Sequence, residues 1–383
     1  MHFTRLKLLN WRNFINVDVP LQMRTFIVGP NAVGKSNFLD ALRFLRDIAD
    51  PEGGLRPAVG TRVGVSQIRS LYARAYSNVT IEVEADLDDG EPWRYQLEFT
   101  QNNQRVPVVE RERVWHGERN LLARPDKADG EDLNRRTQTH LEQVNSNQEF
   151  RKLAQFFTQV RYLHLVPQIV RDPERSLGLK GSPSARRDPY GADFLEQLAL
   201  TPKKTREARL ERIRRALRVA VPQLEKLELH NDHMGKPHLR ALSKHWRPNA
   251  GWQQEDQLSD GTLRLFGLLW ATLDGSAPLL LEEPELSLHA AVVREIPGIM
   301  ARVSRRGGRQ VIVSTHSFDL LMVPGIAMEE IVMLEPAAEG AGARLASTDE
   351  QVRALVEGGV PMAEAVLPRT APRRVDQLGL FAR

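Results

Sequence analysis

Two stretches of the chain carry residues whose types and spacing could do chemistry. The first is GPNAVGKS, residues 29–36, which satisfies G-x-x-x-x-G-K-S/T at every fixed position. Glycines at 29 and 34 let a backbone wrap closely around phosphate oxygens. A helix starting there would add free N–H groups and a favourable dipole. Gly29, Pro30, Asn31, Ala32, Val33, Gly34, Lys35, Ser36 and Asn37 are therefore the expected nucleotide contacts. Lys35 should reach the β- and γ-phosphates, and Ser36 should ligate Mg2+. The second stretch is PLLLEEPELSLH, residues 278–289. Its leucines read as a buried strand, and adjacent carboxylates at the end of such a strand are costly unless something cationic meets them. A magnesium nucleotide answers that need, with Glu282 in the metal shell and Glu283 polarising the attacking water. The chemistry expected is hydrolysis of ATP with Mg2+, in which a protein acts mainly by orientation and electrostatics.

These loops need elements to hold them. Phe26–Val28 is a short apolar run of strand type, and Phe38, Leu39, Ala41, Leu42 and Leu45 then fall on one helical face. The N-terminal residues 1–21 alternate as two strands joined by a turn. Period-2 alternation returns from 60 to 125 as an antiparallel meander. Residues 131–160 are polar and expected to be helical, 160–167 reads as a strand, and 193–230 as largely helical. From 258 to 335 the pattern is αβ: strand 279–282, a helix near 288–303, and strands 310–315 and 330–334. Five divisions follow. They are an N-terminal lobe (1–56), an inserted antiparallel β and helical part (57–165), a helical lid with a basic helix (166–256), a C-terminal lobe (257–335) and a partly flexible tail (336–383).

The chain has 383 residues, 41% hydrophobic and 27% charged, enough for two or three subdomains of globular type. It has no cysteine, which excludes disulfides, thiolate metal sites and cysteine nucleophiles. No apolar h-region follows the basic start, and no apolar run is long enough to span a bilayer, so a cytoplasmic protein with no membrane partner is expected. Net charge is +4 and the pI about 9.4. The positive charge is clustered, most densely in KKTREARLERIRRALR (203–218).

Three further segments give the loops a family resemblance. LSDGTLR (258–264) resembles the signature motif of ABC-type ATPases, PELSLH (284–289) looks like the D-loop, and VIVSTHS (311–317) ends in a match to the switch histidine. The resemblance implies that Ser259 and the Gly261 amide contact the γ-phosphate bound to an opposite subunit, and that His316 senses that phosphate. Within the class the chain is similar to the RecF/SMC/OLD-like branch, through an N-terminal L-x-L-x-N-W/F-R-N-F strand, GPNAVGKSNFLDAL and EEPELSLH. The match is good over 1–60 and 255–335 and loose between. It departs from the general pattern at Glu282, where Asp is usual. For the Q-loop, a further metal contact, Gln168 is the first choice and Gln67 the competitor.

The fold implied is α/β: an ABC-type P-loop NTPase head, a mixed sheet with flanking helices, with an antiparallel β subdomain and a helical lid subdomain. Without heptads no SMC-type coiled-coil arm is expected, and the residues after His316 are too few for the Toprim nuclease domain of full-length OLD proteins. Composite sites imply a head-to-head homodimer gated by ATP. In that branch the closed dimer acts on DNA, in repair or in defence against foreign DNA, with any nuclease or other effector on a separate chain. The basic helix offers Arg206, Arg209, Arg212 and Arg215 as phosphate contacts. The alternative is a slow ATP-dependent scaffold that regulates a nuclease or toxin; a transporter subunit is disfavoured by EEPELSLH and NWRNF. QLGLF (377–381) is similar to the peptide by which bacterial repair proteins bind the sliding clamp, with Gln377, Leu378, Leu380 and Phe381 as the contacts.

Overall fold

The computed structural model describes residues 1–74, 76–173, 188, 190–247 and 251–370. Along the chain, strands β1 (His2–Trp11), β2 (Phe14–Pro20) and β3 (Arg24–Val28) precede helix α1 (Lys35–Ala49). The meander follows as β4 (Val79–Asp86), β5 (Pro92–Gln101), β6 (Pro107–His116) and β7 (Arg119–Arg124). Helix α2 (Arg151–Gln159) and β8 (Arg161–Leu163) lead to helix α3 (Lys203–Ala220), strands β9 (Leu224–Asn231), β10 (Pro237–Ser243) and β11 (Trp252–Gln254), and helix α4 (Asp260–Leu273). Then come β12 (Leu279–Glu282), helix α5 (Ile296–Gly307), β13 (Val311–Thr315), β14 (Ile331–Pro336) and β15 (Ala341–Leu345), followed by helices α6 (Glu350–Glu357) and α7 (Met362–Thr370).

The chain divides into two compact units, one built from Met1–Arg161, Ser276–Leu280 and the residues from Pro297 onward, the other from Tyr162–Gly275 and Leu281–Ile296. The first unit is organised on a sheet of order β7-β6-β5-β4-β1-β2-β15-β14-β3-β13-β12-β8; the chain passes between units within β8 and β12. β1 pairs antiparallel with β2 and with β4, in keeping with the alternation of its side chains. β3 runs parallel to both β13 and β14. Phe26, Ile27 and Val28 are fully buried, which fits a strand covered on both faces. Helix α1 buries Phe38, Leu42, Phe44 and Leu45, and Phe44 meets Trp11 at 5.3 Å and Phe99 at 5.4 Å between ring centroids. Each such side chain contributes roughly 1.5–3 kcal/mol by burial, so the helix behind the phosphate loop is anchored along its length.

Residues 131–160 depart from the helical expectation. A regular helix forms only as α2; before it the chain makes short turns around a buried ion cluster. Arg124 donates to both oxygens of Asp129 (2.9 and 2.7 Å), to Glu112 (3.1 Å) and to the carbonyls of Arg135 (3.0 Å) and Gln138 (2.9 Å). A buried guanidinium must have its donors satisfied, and here irregular backbone supplies the acceptors. The residues after 336 likewise form β15, α6 and α7 as far as Thr370.

The second unit is built on α3 and α4. Leu210, Ile213 and Leu217 of α3 join Leu165, Phe194, Leu198, Leu263, Phe266 and Trp270 in one core. It also holds a three-stranded antiparallel sheet of order β11-β10-β9, where residues up to 230 were expected to continue as helix. Pro222 follows directly on the helix end at Val221, and Leu227 and Leu229 then alternate with Glu228 and His230, a strand period that packs on the same core. Among the described residues no helix is long and apolar enough to cross a membrane.

Candidate nucleotide-binding site

In the first unit β3 ends at Val28, and the loop Gly29–Gly34 turns directly into α1. The turn needs left-handed backbone at Ala32 (φ 63°) and at Gly34 (φ 112°). A Cβ on Gly29 would lie 2.8 Å from both the Leu334 carbonyl oxygen and a Val33 methyl, so no side chain fits there. Lys35 is buried (6% exposed), and its Nζ donates to the carbonyls of Gly29 (3.0 Å) and Pro30 (3.2 Å) across the loop's own curve. α1 starts with no capping side chain and no acid in its first turn. Its positive end is thus left for an anion. Asn31, Ala32 and Ser36 are exposed, and Asn37 is half-buried. A glycine-lined curve, a buried ammonium and an uncapped helix start form a donor set that fits a polyphosphate.

Residues that sequence reasoning used only as marks of resemblance hold this loop. At the end of β1, the Trp11 indole donates to the Asn37 carbonyl (2.7 Å). The Asn13 side chain donates to the Val33 carbonyl and accepts from the Asn37 amide (2.9 Å). Arg12 donates through its main-chain N–H to Ile68 (2.6 Å) and through its guanidinium to the Gln67 carbonyl (3.1 Å). Asp40 of α1 faces Arg62 (2.8 Å), Arg43 (2.7 Å) and Arg12 (3.6 Å). Burial opposes its charge, but those guanidiniums bring the carboxyl down to about 2. The register Thr315↔Val28 places exposed His316 beside Gly29 at the ends of neighbouring parallel strands.

Walker-type acids lie where the chain enters the second unit. Leu279, Leu280 and Leu281 are buried, and β12 ends at Glu282, whose carboxylate accepts from the Tyr162 hydroxyl; its carbonyl meets His164 Nδ1 at 3.3 Å. In the sequence Tyr162 and His164 carry no signal beyond the strand at 160–167. Glu283 (φ 43°) and Ser287 (φ 62°) both take left-handed backbone, which costs a non-glycine residue about 1–2 kcal/mol. The resulting turn presses on the signature: a Cβ on Gly261 would lie 2.6 Å from the Ser287 carbonyl oxygen. Ser259 caps α4, its hydroxyl accepting from the Thr262 N–H (3.2 Å). Asp260 is held by Arg171 (2.6 Å) and by the Gln168 amide (3.1 Å), and Arg171 also donates to the Leu258 carbonyl (2.6 Å). The two glutamine candidates thus have separate settings, Gln168 against the signature turn and Gln67 against the turn that braces the phosphate loop.

The four arginines singled out on α3 are not equivalent. Arg206 donates to the carbonyls of Ala199 (2.8 Å) and Thr201 (3.2 Å), and Arg209 pairs with Asp274 (2.9 Å) and lies over the Trp270 ring at 5.3 Å. Arg215 pairs with Glu211 (2.9 Å). Arg212 is exposed. Gln377, Leu378, Leu380 and Phe381 lie outside the described residues.

The family model described as "AAA domain, putative AbiEii toxin, Type IV TA system" matches residues 24–322, from β3 through the switch strand. The chain belongs to this family. The match takes in the phosphate loop, the signature segment, the paired acids and His316 together, and the chain is of the ABC-type P-loop ATPase kind, RecF/SMC/OLD-like. A 47-residue segment is 47% identical to endonuclease GajA of Bacillus cereus (strain VD045); it spans 12% of this chain and 8% of that protein's length. Among solved structures, the chain is similar to an SMC head bound to the C-terminal winged-helix domain of ScpA, with 15% identity, a TM-score of 0.52, and 90% of this chain and 97% of the other covered. An SMC head domain from Thermotoga maritima aligns at 12% identity and a TM-score of 0.47, over 90% of this chain and 99% of that one. The first likeness establishes the fold: a mixed sheet with flanking helices of the ABC-type ATPase head.

Proposed function

We propose that this AAA-domain protein binds and hydrolyses MgATP, and that ATP gates a head-to-head homodimer that acts on DNA in defence against foreign DNA or in repair. The observation that carries the reading is the buried Lys35 ammonium inside a glycine-lined loop at the uncapped start of α1. In this reading Gly29–Asn37 cradle the phosphates, Lys35 neutralises the β- and γ-phosphates, and His316 reports on the γ-phosphate. Ser259 and the Gly261 amide serve the nucleotide of a second copy. Ser36 is the phosphate-loop candidate for Mg2+; Glu282, at the end of β12, and one of the two glutamines are the other candidates. Bound Mg2+ would neutralise charge on the transferring phosphoryl group. Glu283 then orients the attacking water.

The short match to an endonuclease supports work on DNA, and the family's toxin description supports a second reading, an ATP-dependent switch that governs a separate effector. Steady-state ATP hydrolysis with and without duplex DNA separates them, with Glu283→Gln as the control. Turnover raised several-fold by DNA and abolished in the variant is the expected result. Slow turnover indifferent to DNA favours the switch, and full activity in Glu283→Gln removes the assignment of the catalytic acid.

A further inference from the structure

We propose that Asn13, in the turn between β1 and β2, is a positioning residue that holds the phosphate loop in its nucleotide-ready shape and ties it to the β14–β15 hairpin. This rests on the reading of Gly29–Ser36 as the nucleotide loop. Asn13 engages three polar groups. Its amide donates to the Val33 carbonyl, its side-chain oxygen accepts from Asn37 (2.9 Å), and its main-chain carbonyl accepts from the Ala341 N–H (2.8 Å). One side chain therefore holds the loop at Val33 and the first turn of α1 at Asn37. The fit is close on two sides: a Cβ on Gly34 would overlap the Asn13 amide, and a Cβ on Gly340 would overlap its carbonyl oxygen. The hairpin also reaches the loop directly, through Leu334 against Gly29.

A glycine-rich loop left to itself would have to be ordered each time a nucleotide binds, at an entropic cost charged against affinity. Asn13 removes part of that cost beforehand. Only a side chain with a donor and an acceptor at this length satisfies both partners, since Asp loses the donor and Ser reaches neither.

The experiment is titration of the full-length protein with MgATP, together with KM and kcat for hydrolysis and a thermal melt without nucleotide. Asn13→Ala should weaken MgATP binding about tenfold and raise KM in step, with kcat at saturation unchanged, as expected for loss of two hydrogen bonds that act only through the loop. Asn13→Asp should be weaker still, because it sets a carboxylate against the Val33 carbonyl beside the phosphates. A purely structural residue would lower the melting temperature and the active fraction while leaving Kd and KM alone, and that result overturns the proposal. Asn13→Ser answers the same question should the alanine variant not fold. Wild-type protein and Lys35→Ala are run alongside. No binding by wild type refutes the nucleotide reading itself, and tight binding by wild type with equal binding by the Asn13 variants refutes only the role given to Asn13.

Discussion

Glu142 offers a test of the structure that is independent of nucleotide. Its carboxylate oxygens accept from the Leu55 N–H (2.7 Å) and the Thr139 N–H (2.7 Å), and a Cβ on Gly54 would overlap one of them. Burial pushes this carboxyl up from an ordinary 4.5 to about 7, against the pull of those two hydrogen bonds. The folded state therefore keeps a proton that the unfolded chain gives up. Stability from this group is fully present below pH 4.5 and is lost as pH rises through about 7. At about 1.4 kcal/mol per pH unit, the whole effect is at most ~3.5 kcal/mol. Glu142→Gln removes the titration. It also leaves one N–H facing an amide, a cost of about 1–3 kcal/mol that does not vary with pH. The assay is urea unfolding of both proteins from pH 4.5 to 8. The stability of wild type minus that of the variant should fall by roughly 1–3 kcal/mol across that range. Asp193, raised by burial to about 6, slopes in the same direction but is common to both proteins and cancels in the difference. Asp40, held down near 2, titrates below the range. Parallel curves would refute the argument.

Three further outcomes follow from the geometry. Gly340→Ala must place a Cβ at φ 78° onto the Asn13 carbonyl, and should cost about 2–3 kcal/mol of stability in urea unfolding, with a matching rise in Kd for MgATP. On α3, Arg212→Ala should reduce the salt dependence of duplex DNA binding without changing stability. Arg209→Ala, which breaks the Asp274 pair and bares Trp270, should lower stability by roughly 1–2 kcal/mol with little change in that slope. Equal salt slopes for Arg212→Ala and wild type would take Arg212 out of the proposed DNA contacts.

Much of the site was legible because its signals are local. A strand, a glycine loop and a helix that follow one another within Arg24–Ala49 need no distant partner to be recognised, since the motif is read from spacing over a few residues. The same holds for the leucines that run into Glu282 and for the Leu210, Ile213 and Leu217 stripe. The turn NWRNF was visible only as a resemblance, because its bonds to Val33 and Asn37 cross between segments. The hairpin after residue 336 looked like the start of a mobile tail because glycine and alanine carry no pattern of their own; it orders by pairing with β2 and covering the turn at Asn13.

What the sequence by itself determined, then, is the set of short motifs and the order in which they come, because each is a matter of backbone geometry and side-chain period over a few residues. What only the tertiary structure decided is which groups are spent on the protein itself. Arg209 meets Asp274, Tyr162 meets Glu282, and Arg124 gathers Glu112 and Asp129, and in each case the partner is chosen by packing and by the need to satisfy buried charge. Spacing cannot report such choices, because a hydrogen bond between distant segments depends on where the intervening chain has folded.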